Sequence, residues 1–303
     1  MARRYVTTIL WIFLSMILLD VQGATGFSKS SKSSAVHKRH SSAKVMRAPR
    51  DLVIRSASAL VKDQQTGELL VQKQAKAVLP IASITKLMTA MVVLDTQTDL
   101  KEAITIEPTD VDTLCHSPSR LPVGTRISRE DALLLALMAS ENRAAHALGR
   151  TYPGGPEAFV TAMNTKARSL GLSRTRFEDA SGLSSGNTSS AQDLALMVDA
   201  AYHYNLVREF TTREEATIHL GRRTLEFRNT NRLIQNPRWQ IGLSKTGFTN
   251  EAGRCLVMQA SVAQRPLLIV LLDAQGRLTR FADAKRIKEW FEGQLPARQK
   301  QEG

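Results

Sequence analysis

The chain has 303 residues, 43% of them hydrophobic, which is enough for one large domain or two ordinary ones around a sizeable core. Its formal charge of +13 invites an anionic polymer, but eight basic residues and one acidic residue fall in residues 1–48, leaving a net of +6 on the rest. No RNA- or DNA-binding motif stands out, so a nucleic-acid reading is set aside. The six histidines include no His-Glu-x-x-His, so metal chemistry is set aside too.

The N-terminus has the form of an export signal. Arg3 and Arg4 precede a 14-residue apolar run, Val6 to Leu19, too short to span a bilayer comfortably. Small residues at Val21 and Gly23 suit cleavage near Gly23–Ala24, which predicts a signal peptide over 1–23 and delivery to the periplasm; an uncleaved anchor is the alternative. Residues 24–48 are rich in Ser and Lys and too poor in large apolar residues to fold, so they read as a flexible leader. His37 and His40 lie in it, and His146 reads as a packed helix residue. The folded body is expected over 49–295, with a tail at 296–303.

Ser56–Lys62 and Glu68–Gln72 alternate around a Gln-Thr-Gly turn, which predicts a hairpin. Pro80 to Leu94 is apolar almost all round and reads as a buried helix, yet its first turn carries Ser83 and Lys86 on one face. Ser128 and Asp131 form a variant capping box ahead of a helix over Ala132–Ala139. Further helices are expected over Asn142–Tyr152, over Pro156–Leu170 (stopped by Gly171), and over Ala191–Tyr204 headed by Ser190. From Ala216 the pattern turns β-rich, with strands at Trp239–Thr246, Gly253–Val262 and Pro266–Asp273 and a turn at Gln264-Arg265. An amphipathic helix, Arg277–Phe291, closes the body. Strands at both ends of a helical middle predict an α+β fold, an antiparallel sheet flanked by helices. Cys115 and Cys255 could pair in an exported protein, although Cys255 reads as a buried strand thiol.

Three short motifs carry chemistry. Ser-x-x-Lys occurs at Ser83/Lys86 and also, as a chance match in the leader, at Ser41/Lys44. A serine needs a base to become a nucleophile, and a lysine is a base only when desolvation or a nearby cation keeps it neutral. The apolar setting of Lys86 supplies that desolvation. Ser140-Glu141-Asn142 interrupts a strongly apolar helix with a hydroxyl and an amide, suited to relaying a proton and holding a peptide; Ser185-Gly186-Asn187 is a rival of the same form in a turn-rich loop. Lys245-Thr246-Gly247 ends a strand with a cation and a hydroxyl suited to a carboxylate, beside a glycine that allows close approach of another chain.

In this order the three motifs resemble those of the penicillin-interacting serine hydrolases. The stretches around them (Ile81 to Ala90, Leu134 to Ala145, Leu243 to Gly253) resemble the D-alanyl-D-alanine carboxypeptidase branch, most of all its endopeptidase members, and the similarity spans roughly residues 50–295. The resemblance implies a β-lactamase/DD-peptidase-like fold and a penicillin-sensitive serine peptidase that needs no cofactor and cuts peptidoglycan cross-linking peptides. It implies Ser83 as nucleophile, Lys86 as base kept neutral partly by Lys245, and Ser140 as proton relay. Asn142, Lys245, Thr246 and Gly247 would hold substrate, and the backbone N–H groups of Ser83 and Phe248 would form an oxyanion hole. β-Lactams would be covalent inhibitors. A carboxypeptidase removing terminal D-Ala is the alternative. Less favoured are a β-lactamase, for which no Glu-x-x-Leu-Asn string is found, and a penicillin sensor without turnover. An α/β-hydrolase reading rests on Gly182-x-Ser184-x-Gly186 alone. The short stretch after the last helix, without the further β-rich domain and membrane anchor of many carboxypeptidase relatives, leads to the expectation of a soluble or loosely wall- or membrane-associated protein.

Overall fold

The computed structural model describes residues 52–220 and 223–294. The expected signal, the leader with its Ser41/Lys44 pair, and the tail lie outside the described residues. Eleven strands and seven α-helices are present among those described: β1 (Ser58–Asp63), β2 (Leu69–Lys73), β3 (Leu79–Pro80), α1 (Lys86–Asp95), β4 (Ala103–Thr105), β5 (Arg126–Ser128), α2 (Arg129–Leu134), α3 (Asn142–Arg150), α4 (Gly155–Ser169), β6 (Thr188–Ser189), α5 (Ala191–Tyr202), α6 (Asn205–Thr212), β7 (Glu215–Leu220), β8 (Arg223–Arg228), β9 (Gln240–Thr249), β10 (Gly253–Val262), β11 (Arg265–Ala274) and α7 (Thr279–Gly293).

Five of the strands form one antiparallel sheet in the order β2-β1-β11-β10-β9, so the first hairpin of the chain pairs with its last. Both faces are covered. Successive side chains of a strand point to opposite faces. In β11, Leu268, Val270 and Leu272 therefore enter the core shared with α1 to α6, while Leu267, Ile269 and Leu271 enter the core under α7. Burial on both sides is why this strand reads as an unbroken apolar run. The architecture is the expected α+β arrangement, and β9, which carries Lys245-Thr246-Gly247, is an edge strand.

Several boundaries differ from the sequence reading. The α-helix begins at Lys86; Ala82–Thr85, with Ser83, form a 3-10 turn ahead of it. Ser83 and Lys86 still share a face, because residues three apart eclipse in 3-10 geometry. Ser128 caps α2 by accepting from Asp131 N, so that helix starts at Arg129, ahead of the expected Ala132. It then loosens into a π turn over Leu135–Ala139. Helix α3 stops at Arg150, the helix expected to reach Tyr204 ends as α5 at Tyr202, and a further helix absent from the sequence reading, α6, follows at Asn205. Tyr204 precedes α6 with no side-chain cap bond, so the sequence offers no start signal there. The β10–β11 turn is Ala263-Gln264, both at positive φ (49° and 63°), one residue before the expected pair. The cysteines do not pair: Cys115 is exposed and Cys255 is buried in β10.

Candidate active site

Ser83 is presented on a turn held from two sides. Ala82 before it has φ of 47°, a left-handed conformation that a non-glycine residue adopts at a cost. Gly182 packs onto that residue: at φ +84°, a Cβ there would stand 2.0 Å from Ala82 O. On the other side a Cβ at Gly247 would meet Ile81 O at 2.8 Å and Ser83 N at 3.3 Å. The need for glycine at 247 is thus an internal close approach between β9 and the serine turn, in addition to any room for substrate.

Lys86 heads α1, of which the eight residues Lys86 to Val93 are buried, and it is itself 0% exposed. Its Nζ lies 2.8 Å from Ser83 Oγ, 2.7 Å from Asn142 Oδ1 and 2.7 Å from Ser181 O. The last two atoms can only accept. A neutral amine therefore gives each of them one N–H and turns its lone pair toward the Ser83 hydroxyl. Burial pulls Lys86 down to about 7, against the opposing attraction of the Asp179, Glu141 and Asp112 carboxylates. Desolvation, rather than the neighbouring Lys245, is the main cause.

Ser140 is expelled from its helix by the π turn, where Glu141 N reaches back to Leu135 O, and it takes the left-handed conformation at φ 61°. Lys245, 1% exposed, donates from Nζ to Ser140 Oγ at 2.9 Å and to Thr246 O at 3.2 Å. It is held well below its ordinary value by burial first, and then by the charges on Lys86 and Arg280. Thr246 Oγ1 donates to Thr230 Oγ1 at 2.6 Å. Phe248 is 50% exposed, with the Arg254 guanidinium 4.1 Å over its ring. The predicted residues thus form two groups, Ser83–Lys86–Asn142 and Ser140–Lys245–Thr246. Among the described residues no hydrogen bond joins the groups; they are linked through the chain at 140–142 and by the contact of Gly247 with the serine turn.

The rivals of these motifs have structural work. Asn187 is fully buried and its Oδ1 accepts from Glu178 N and Asp179 N. Ser184 donates to the exposed carboxylate of Glu178 at 2.7 Å, and a bend rather than a strand precedes it, so the elbow geometry is not met. His146 packs on α3 with Nε2 unpartnered. Four contributors escape the sequence motifs. Asp179 gathers the N–H groups of Ser181, Gly182 and Ser184 and so shapes the loop that offers Ser181 O to Lys86. Ser117 accepts from Asn142 Nδ2 at 2.7 Å. Thr230 meets Thr246. Arg280 on α7 is buried without an ion-pair partner among the described residues and donates to Gly247 O at 3.2 Å; burial and Arg254 lower it to about 10.

Three motifs far apart in sequence meet where one sheet edge abuts the helical cluster, and with that topology they define a penicillin-interacting serine hydrolase. A family model described as D-alanyl-D-alanine carboxypeptidase matches residues 43–276, and the chain belongs to that family of serine peptidases. It is 51% identical over 245 residues to a D-alanyl-D-alanine endopeptidase of Pseudomonas aeruginosa, covering 80% of this chain and 79% of that one. It is 47% identical over 241 residues to the D-alanyl-D-alanine endopeptidase of Escherichia coli, covering 79% and 78%. Among solved structures, a Streptomyces DD-transpeptidase superposes with a TM-score of 0.74 at 26% identity, over 80% of this chain and 98% of the other.

Proposed function

We propose that this chain is a periplasmic serine peptidase that opens D-alanyl cross-links of peptidoglycan through an acyl-enzyme, and that β-lactams acylate the same serine. The carrying observation is the buried Lys86 Nζ 2.8 Å from Ser83 Oγ, with two pure acceptors, Asn142 Oδ1 and Ser181 O, as its other partners, so that a neutral amine there would turn its lone pair to the hydroxyl. Ser83 Oγ bonds to the D-alanyl carbonyl carbon while its proton passes to Lys86 Nζ. The C–N bond then breaks, and the leaving amine takes a proton through Ser140, whose own hydrogen is free because its oxygen accepts from Lys245. Water later cleaves the ester. Asn142 holds the donor peptide, Lys245 and Thr246 receive a substrate carboxylate, and the N–H groups of Ser83 and Phe248 receive the oxyanion. The nearness of Ser83 N to Gly247 supports that pairing. Substrate adds to β9 as an extra strand. Periplasmic placement rests on the N-terminal signal pattern; among the described residues no helix is long and apolar enough to cross a membrane.

A terminal D-Ala and a cross-linking diamino acid both offer Lys245 a carboxylate, so the site alone does not choose between them. The names of the Pseudomonas and Escherichia relatives favour the cross-link. Purified protein is expected to convert cross-linked muropeptide dimers to monomers faster than it releases D-alanine from pentapeptide monomers, as read by chromatography and a D-alanine assay. Rapid D-alanine release with dimers intact would make it a carboxypeptidase and leave the Ser83/Lys86 chemistry standing.

The pH dependence follows from the same amine. A protonated Lys86 has no lone pair, so acylation is expected to fall as pH drops through about 7. Penicillin acylation rates measured from pH 5 to about 9 check this. A flat profile would remove Lys86 from the role of base.

A further inference from the structure

We infer that Asp112 and Ser117 are positioning residues that fix which end of the Asn142 amide faces Lys86, and so where the lysine's lone pair points. The inference rests on the proposal that Lys86 is the base. Asp112 is buried at the start of the loop leading to β5, and four donors hold its carboxylate. Leu114 N and Cys115 N donate to Oδ1 at 2.8 and 2.9 Å. Ser117 N and Ser117 Oγ donate to Oδ2 at 2.8 and 2.6 Å. Ser117 thereby gives its single hydroxyl proton to Asp112 and offers only lone pairs to Asn142.

An amide facing those lone pairs must present its NH2 group, and Asn142 Nδ2 lies 2.7 Å from Ser117 Oγ. Oδ1 is then turned to Lys86 Nζ, 2.7 Å away. Ser117 and Lys86 are the only hydrogen-bond partners of the Asn142 side chain among the described residues; a neutral amine could face either end of the amide, whereas Ser117, its proton given to Asp112, can face only the NH2. With the amide reversed, NH2 would face the amine, and a neutral lysine would accept with the lone pair that Ser83 needs. The chain Asp112–Ser117–Asn142–Lys86 is thus one-directional, each group's donor or acceptor role being forced by the one before it. The Asp179 loop supplies the other fixed acceptor, Ser181 O.

The test is the acylation rate of the full chain with a fluorescent penicillin, with thermal unfolding recorded for each variant. Ser117→Ala is expected to slow acylation about 10- to 100-fold, and Ser117→Thr, which keeps the hydroxyl, to stay within about threefold of wild type. Asn142→Asp accepts at either oxygen and has no orientation to lose, so adding Ser117→Ala to it should cost less than about twofold. Equal losses from Ser117→Ala in both backgrounds would make the loop a structural support only. So would Ser117→Ala acylating at the wild-type rate, or Ser117→Thr failing like Ser117→Ala. If Asn142→Asp labels too slowly to read, the Ala and Thr pair at 117 decides. Continued labelling of Ser83→Ala would instead sink the underlying assignment of nucleophile and base, whatever happens at 117.

Discussion

Ser83→Ala is expected to fold as the wild type does and to lose all covalent labelling by a fluorescent penicillin. Among the described residues the hydroxyl makes one hydrogen bond, with Lys86 Nζ, so its removal costs about 0.5–1.5 kcal/mol. Lys86 keeps Asn142 Oδ1 and Ser181 O as partners. The turn itself is held by backbone: Ile81 N donates to Asn187 O at 3.0 Å and Ile84 N to Ile81 O at 3.2 Å. Nothing in that scaffold depends on the side chain at 83. The ester, by contrast, cannot form without Oγ. Ser184→Ala serves as the control, because Ser184 sits in a second serine motif and bonds an exposed glutamate rather than a buried amine. It should label normally. Labelling that survives at Ser83→Ala and vanishes at Ser184→Ala would reassign the nucleophile and revive the elbow reading.

The parts of the site that could be read from sequence are those with a local period. Ser83 and Lys86 are three residues apart, and that spacing puts them on one face in a 3-10 turn as well as in an α-helix, so the pairing survives a wrong helix start. The alternation that fills two cores from β10 and β11 was also legible as strand, since both runs are long and apolar. The remaining contributors act through backbone or across the chain. Ser181 contributes a carbonyl, which every residue has, and Asp179 works on the N–H groups of its own loop. No side-chain pattern marks either. Ser117 is 25 residues from Asn142, and only the fold brings them to 2.7 Å. The strongest decoy, Gly182-x-Ser184-x-Gly186, fell in the very loop that holds Lys86. Its first glycine is required because Ala82 O lies against it, not because a nucleophile follows.

Lys86→Arg should lower acylation by about 10²- to 10⁴-fold, the loss associated with a missing general base, although it preserves the positive charge. A guanidinium does not deprotonate in a protein and has no lone pair to offer the serine. It also brings five N–H donors into a slot that is 0% exposed and holds three acceptors, Asn142 Oδ1, Ser181 O and Ser83 Oγ. Unmatched donors in such a place cost stability as well as activity, so the arginine variant alone would confound the two. Lys86→Met separates them. Methionine carries no charge to bury, brings no unmatched donors and cannot accept a proton, although it leaves Asn142 Oδ1 and Ser181 O without their donor. It should retain more of the wild-type thermal stability than the arginine variant while being just as slow to acylate. The comparison needs only time courses of penicillin labelling and an unfolding curve for each protein. Acylation within about threefold of wild type in either variant would show that Lys86 is not the base and that another group takes the Ser83 proton.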